Sequence, residues 1–211
     1  MWSAQRLAYK AIYEHYYNSG VTLTSIVPLL NESNGALHIN ISMSMTSLNG
    51  FDAVSGLIDI SGEMYLEWFD EVVADEYVSS LLNVGDSLDI LIEYDKAWTP
   101  NLVLVNDIKS VRDIGEESYL LWYELSYPSA TEKIAKVSWR PRFLLQASCS
   151  PDVTYYPFDR QECDFTFTAW GYRSPFVTLN ILTSEWDTSA AQDNGVWKIV
   201  RCVNDGNTFM I

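Results

Sequence analysis

The chain has little of what metal and nucleophile chemistry requires: two histidines and three cysteines in 211 residues. His15 and His38 have no Ser or Cys nucleophile pattern near them, and no His/Cys cluster has metal-ligand spacing. Catalysis, a metal and an organic cofactor are therefore not expected. Long apolar runs are absent too. No stretch reaches the roughly 18 residues that a membrane-crossing helix needs, and the N-terminus lacks the apolar core of a secretory signal. Basic residues are scarce, 13 Lys and Arg against 28 Asp and Glu, for a net charge of −15. Such a chain repels nucleic acid and anionic membrane surfaces, attracts cations and stays soluble. Acidic pairs such as Glu116-Glu117 read as solvated loop charges. Low-complexity tracts, fixed-period repeats and composition shifts are also missing, which leaves one domain over 1–211 built around a sizeable core.

What is present begins with a stripe of Leu7, Ala8, Ala11, Ile12, His15 and Tyr16 within residues 2–17, the spacing of an amphipathic helix that Gly20 stops. The period then changes. Leu37, Ile39, Ile41, Met43 and Met45 alternate with polar residues, which makes a half-buried strand and turns Asn40 to solvent. From Leu57 to about Trp68 a second strand puts Ile58, Ile60, Met64 and Leu66 on one face and Asp59, Ser61, Glu63, Tyr65 and Glu67 on the other. Asn49-Gly50 and Ser55-Gly56 bracket a turn between them. Short strands follow at 88–94, 102–106, 119–125, 134–140, 142–148, 163–169, 176–182 and 197–203, separated by turn residues. This is an all-β chain of about ten strands with an N-terminal α-helix, an immunoglobulin-like β-sandwich, although periodicity alone fits a barrel equally well. Two sequons, at Asn31 and Asn40, mark N-glycosylation positions and agree with an extracellular or secreted origin. Three cysteines cannot all pair in one chain; Cys149 and Cys163 enclose thirteen residues, a span that a disulfide can close, with Cys202 left over.

The segment from Cys149 to Cys163, with Tyr156-Pro157-Phe158-Asp159 at its centre and Gln161 before the second cysteine, resembles the signature loop of Cys-loop receptors, the pentameric ligand-gated ion channels. Trp68-Phe69-Asp70 is similar to the family's Trp-x-Asp, and Trp98-Thr99-Pro100-Asn101 to its Trp-x-Pro-Asp, with Asn101 in place of Asp. The resemblance covers nearly the whole chain and stops within the family's last strand. It implies a Cys149–Cys163 disulfide, a ring of five subunits, here a homopentamer, and small-molecule sites between neighbouring subunits. It also implies a membrane-spanning domain in the same full-length chain, touched by the tip Tyr156, Pro157, Phe158 and Asp159. The location implied is the extracellular face of the plasma membrane, or secretion for a soluble relative.

The resemblance also assigns the ligand site. Trp170, in Ala169-Trp170-Gly171-Tyr172, falls on the family's principal-face Trp. Val105 stands where many members carry Tyr, and Glu63 where many carry Trp. Ser138 and Arg140, on a strand that turns Val137 and Trp139 the other way, join Glu63 and Tyr65 as the complementary face. Tyr172 and Trp197 are the aromatic residues left to rebuild the cage. Glu63 and Arg140 either meet the ligand or neutralise each other across the interface. With the cage reduced, a zwitterionic or amphipathic ligand is expected rather than a cholinergic cation, and two other readings stay open: a soluble transmitter-binding protein and a structural sandwich without a ligand.

Overall fold

Alternation sets the architecture. In β2 (Leu57–Phe69) every second residue from Ile58 to Trp68 turns inward, except that Gly62 offers no side chain there, while the residues between them face out. β1 (Leu37–Asp52) follows the same rule from Leu37 to Met45. This period belongs to a sheet with one face on a core. The computed structural model describes residues 2–17, 27–29, 35–107, 120–156, 158–172, 176–192, 194–205 and 208–210. Gly20, Asn31, Glu116, Glu117 and Pro157 lie outside the described residues.

Nine further strands are described: β3 (Ser87–Glu93), β4 (Leu102–Leu104), β5 (Leu120–Ser129), β6 (Glu132–Trp139), β7 (Arg142–Ser148), β8 (Asp164–Ala169), β9 (Val177–Ile181), β10 (Val203–Asp205) and β11 (Thr208–Met210). One sheet runs β3-β5-β6-β2-β1-β9, with β7 also paired to β2; the other runs β10-β11-β8-β4. Two separate sheets make this a sandwich, not a barrel. β1 and β9 pair in parallel, and every other described strand pair is antiparallel. Trp68 and Trp98 meet edge to face at 5.5 Å in the core, and Phe165 meets Trp186 at 6.2 Å.

Helix α1 (Trp2–Tyr17) lays Ala8, Ile12 and Tyr16 against the core. The stripe is narrower than its sequence suggested, for Leu7 is 60% exposed. On its other side α1 is tied to β3, where the Tyr9 hydroxyl donates to Glu93 Oε2 at 2.7 Å and the Gln5 amide to the Asp89 carbonyl. The bond to Glu93 heads the causes that push the Tyr9 hydroxyl up to about 12.

Three further features depart from expectation. A helical stretch over 71–81, with a π-helical turn at Ala74–Val78, stands where no element was foreseen. Asp70 caps it, accepting from the Val73 amide at 2.9 Å. The same wholly buried carboxylate accepts from the hydroxyls of Tyr16 (2.5 Å) and Tyr123 (3.2 Å), which joins α1, β2 and β5 at one point. Secondly, the turn bracketed by Asn49-Gly50 and Ser55-Gly56 is confined to 53–56, where Gly56 has φ +67°, because β1 continues through Asn49-Gly50 across a register shift. Thirdly, of the strand expected at 197–203 only Val203 belongs to a strand, because the preceding segment joins neither sheet.

β2 changes partner just beyond Gly62. Residues Leu57–Glu63 pair with β7 and Leu66–Phe69 with β6, and the Pro141 carbonyl accepts from the Met64 amide between them. A Cβ on Gly62 would come within 2.2 Å of the Ser44 carbonyl oxygen and 2.6 Å of Phe143 Cζ.

Candidate functional site

Strand register brings the outward residues of the large sheet into one row. Leu91 lies opposite Trp122, Trp122 opposite Ser138, Ser138 opposite Glu67, and Glu67 opposite Asn40. Three residues expected on the complementary face, Tyr65, Ser138 and Arg140, line one cavity of about 460 Å³. Leu91, Leu120 and Trp122, all large exposed apolar residues, form its other wall, and Glu124 its edge. The Arg140 guanidinium lies over the Tyr65 ring, 5.2 Å from its centroid. The Tyr65 hydroxyl donates to Glu67 Oε2 at 3.0 Å, while Lys136 Nζ bonds Glu124 Oε2 at 2.6 Å. Burial and then the bond to Glu67 push the Tyr65 hydroxyl up; the bond to Glu124 pushes the Lys136 ammonium up.

Within the chain Glu63 stands directly opposite Arg142 in the β2–β7 ladder, and its Oε1 accepts from Arg142 Nε at 3.0 Å. Asn40 lies on the outward phase of β1, half-buried in a strand paired on both sides, and its amide donates to Glu67 Oε1 at 3.1 Å.

On the smaller sheet, Trp170 follows the end of β8 and is 56% exposed, its amide held by the Asn101 carbonyl at 2.8 Å. Tyr172 is half-buried against Trp98 at 5.9 Å, which carries the core's Trp68–Trp98 contact out to the surface; burial pushes its hydroxyl up. Val105 is exposed but sits opposite Thr166, four residues along the ladder from Trp170 and thus about 13 Å away at ~3.3 Å per residue. Trp197 joins neither group. Its ring meets Phe51 edge-on at 5.1 Å and lines a cavity with Ile58 and Phe158.

The structure joins Cys149 and Cys163 by a disulfide and leaves Cys202 as a buried free thiol, which burial pushes up to about 11. Gln161 staples the loop: its Oε1 accepts from the Asp152 amide, and its Nε2 donates to the Asp152 carbonyl and to Asp159 Oδ2. Tyr155, Tyr156 and Phe158 project outward, Phe158 being 90% exposed. Sequence reasoning missed Val54, 97% exposed on the β1–β2 turn, which is bound to the loop's base by the Cys149 amide donating to the Gly56 carbonyl. The missed residues Leu91 and Trp122 carry one readable signal, an apolar or aromatic residue on the outward phase of an alternating strand.

The family model described as "Neurotransmitter-gated ion-channel ligand binding domain" matches residues 8–209. The chain is 28% identical over 176 residues to neuronal acetylcholine receptor subunit beta-3 of Rattus norvegicus, covering 82% of this chain and 34% of that protein. It is 25% identical over 177 residues to subunit alpha-6 of Gallus gallus (83% and 33%) and 25% over 198 residues to subunit alpha-6 of Homo sapiens (93% and 35%). The chain thus spans about a third of the length of the curated relatives it matches. This family is a ligand-gated ion-channel domain and not an enzyme. With a helix-capped sandwich, the disulfide-closed loop and a match from residue 8 to residue 209, the chain belongs to the neurotransmitter-gated ion-channel ligand-binding domain family.

Proposed function

We propose that this chain, as one domain over 1–211, is the extracellular part of a pentameric ligand-gated channel that assembles as a homopentamer and binds a small zwitterionic or amphipathic ligand between subunits. The observation that carries the reading is the cavity shared by Tyr65, Ser138 and Arg140, which opens outward from the large sheet. Trp170 and Tyr172 stand on the other sheet, on the far side of the core, so a second subunit supplies the facing half. Exposed Leu91, Leu120 and Trp122 support assembly, because an apolar patch of this kind favours a covering partner. At the loop end, Tyr156, Phe158 and Val54 are the apolar contacts for a membrane-spanning domain, and Asp159 helps to hold their loop in shape.

The chemistry selects the ligand. Arg140 already occupies the Tyr65 face and repels a cation, while it suits a carboxylate or sulfonate. Tyr172 is stacked on Trp98, which leaves Trp170 as the open aromatic face. Losing three cation–π faces at about 1 kcal/mol each removes roughly two decades of affinity for acetylcholine.

Light scattering at tens of micromolar should give the mass of five protomers; a strict monomer would refute the ring. Calorimetry should then find a quaternary-ammonium carboxylate binding more tightly than acetylcholine, with Arg140→Ala abolishing the preference. Low-micromolar acetylcholine binding would overturn the ligand assignment.

A further inference from the structure

We propose that the cavity beside the Cys149–Cys163 loop binds a single-chain anionic amphiphile, an apolar tail bearing a carboxylate or phosphate head. The cavity measures about 530 Å³, inside the roughly 300–1,000 Å³ range of small-ligand sites. Its walls are Leu48, Phe51 and Ile58 from β1 and β2, facing Trp197, Ile199 and Val203. Leu48 and Ile58 belong to the buried core, so a tail laid on this floor hides apolar surface from water. The outer wall is the segment before β10 that belongs to neither sheet, so it yields to a ligand without breaking a strand ladder.

The rim supplies the head-group chemistry. Arg160, Lys198 and Arg201 stand at the opening beside Asp159 and Glu162, a slight basic excess in a chain that holds only 13 basic residues against 28 acidic ones. Arg160 and Lys198 are exposed and form no ion pair among the described residues; Arg201 is held by Glu185 at 3.8 Å. Of the rim acids, Asp159 accepts from the Gln161 amide, and Glu162 is exposed to solvent. An apolar floor under two unpaired cations matches a tail with an anion at one end and penalises the same tail bearing a cation. The site lies within one subunit, so it neither depends on the ring nor shares a residue with the Tyr65–Arg140 cavity.

Trp197 reports occupancy, because its indole forms the wall. The chain is titrated with decanoate below its micellar range, with decyltrimethylammonium as the same tail of opposite charge. The expected result is a saturable change in tryptophan emission with decanoate that Trp197→Phe lacks. The paired reversal Arg160→Glu with Lys198→Glu, both on the surface, should raise the decanoate Kd about tenfold. Cosedimentation with vesicles containing phosphatidylglycerol, competed by decanoate, identifies a bilayer lipid as the source; decanoate binding without cosedimentation identifies a free carboxylate. Equal binding of decyltrimethylammonium, a response that survives Trp197→Phe, or a Kd indifferent to the charge reversal would each overturn the assignment.

Discussion

Replacing Asp70 should destabilise the domain more than any surface change. Its carboxylate is wholly buried and serves three donors, the Tyr16 and Tyr123 hydroxyls and the Val73 amide. Asp70→Ala removes a helix cap, worth about 1 kcal/mol. It also strands two buried hydroxyls, each at about 1–3 kcal/mol. A loss of about 3–7 kcal/mol is expected in urea unfolding of the dilute protein, or roughly 10–20 °C in Tm for a domain of this size. Asp70→Asn keeps the cap oxygen and the shape and should cost about half as much. Tyr16→Phe tests the linkage, since in the Asp70→Ala background it should cost little. An Asp70→Ala effect below about 1 kcal/mol, or strict additivity with Tyr16→Phe, would refute the three-way junction. The pH dependence has a definite sign. Burial raises the Asp70 carboxyl above its unfolded value near 3.9, so the stability linked to its protonation is full below about pH 4 and is lost as pH rises through the folded value. Asp70→Asn should therefore remove a stabilisation that acid otherwise brings. Asp52, Asp152 and Asp187, all held low by hydroxyl and amide donors, act in the opposite sense and lose their contribution as pH falls below about 4.

Cys202 should label slowly with a thiol reagent at neutral pH and faster as the pH approaches 11, and one thiol per chain should appear on unfolding without reductant; rapid labelling of the native chain would contradict its burial. Gly62→Ala should cost about 1–3 kcal/mol by overpacking against Ser44 and Phe143, read from the urea midpoint, and an unchanged midpoint would mean that the strand crossing there is looser than described. Reducing the Cys149–Cys163 bond, which closes thirteen residues, should cost about 3 kcal/mol, and a smaller change would place the loop's rigidity in Gln161 instead.

Local rules carried much of the fold. The period of two in β2 was complete enough to assign each residue its face, and the 8, 12, 16 spacing of α1 gave its buried side. The failures came where a residue's meaning depends on a distant strand. Glu63 could not be matched to Arg142 because that pairing is the last before β2 changes partner between Glu63 and Leu66, which no pattern in either strand announces. Asn49-Gly50 carries a strong turn signal, yet pairing with β2 draws β1 through it. Trp197 has the period of a strand, but the segment finds no ladder and its ring is taken by Phe51. The helical stretch at 71–81 has a readable start, Asp70 before Glu71, but the same residue also ends the Trp68-Phe69-Asp70 motif, which masks its role as a cap. In the candidate site, Tyr65, Ser138 and Arg140 came together because alternation alone fixes their face; Leu91 and Trp122 needed the register of three strands.

The change of partner along β2 also has a mechanical meaning. Beyond Arg140 the chain passes through Pro141 directly into β7, whose last residue, Ser148, precedes the disulfide cysteine. Those seven residues form a rod of about 23 Å, clamped at one end by the Glu63–Arg142 pair and braced along its length by β2. A hydrogen-bonded strand resists stretching far better than a loop does, so β7 is the stiffest covalent link between Arg140 and Cys149, and its stiffness bears on how closely one end of the domain follows the other.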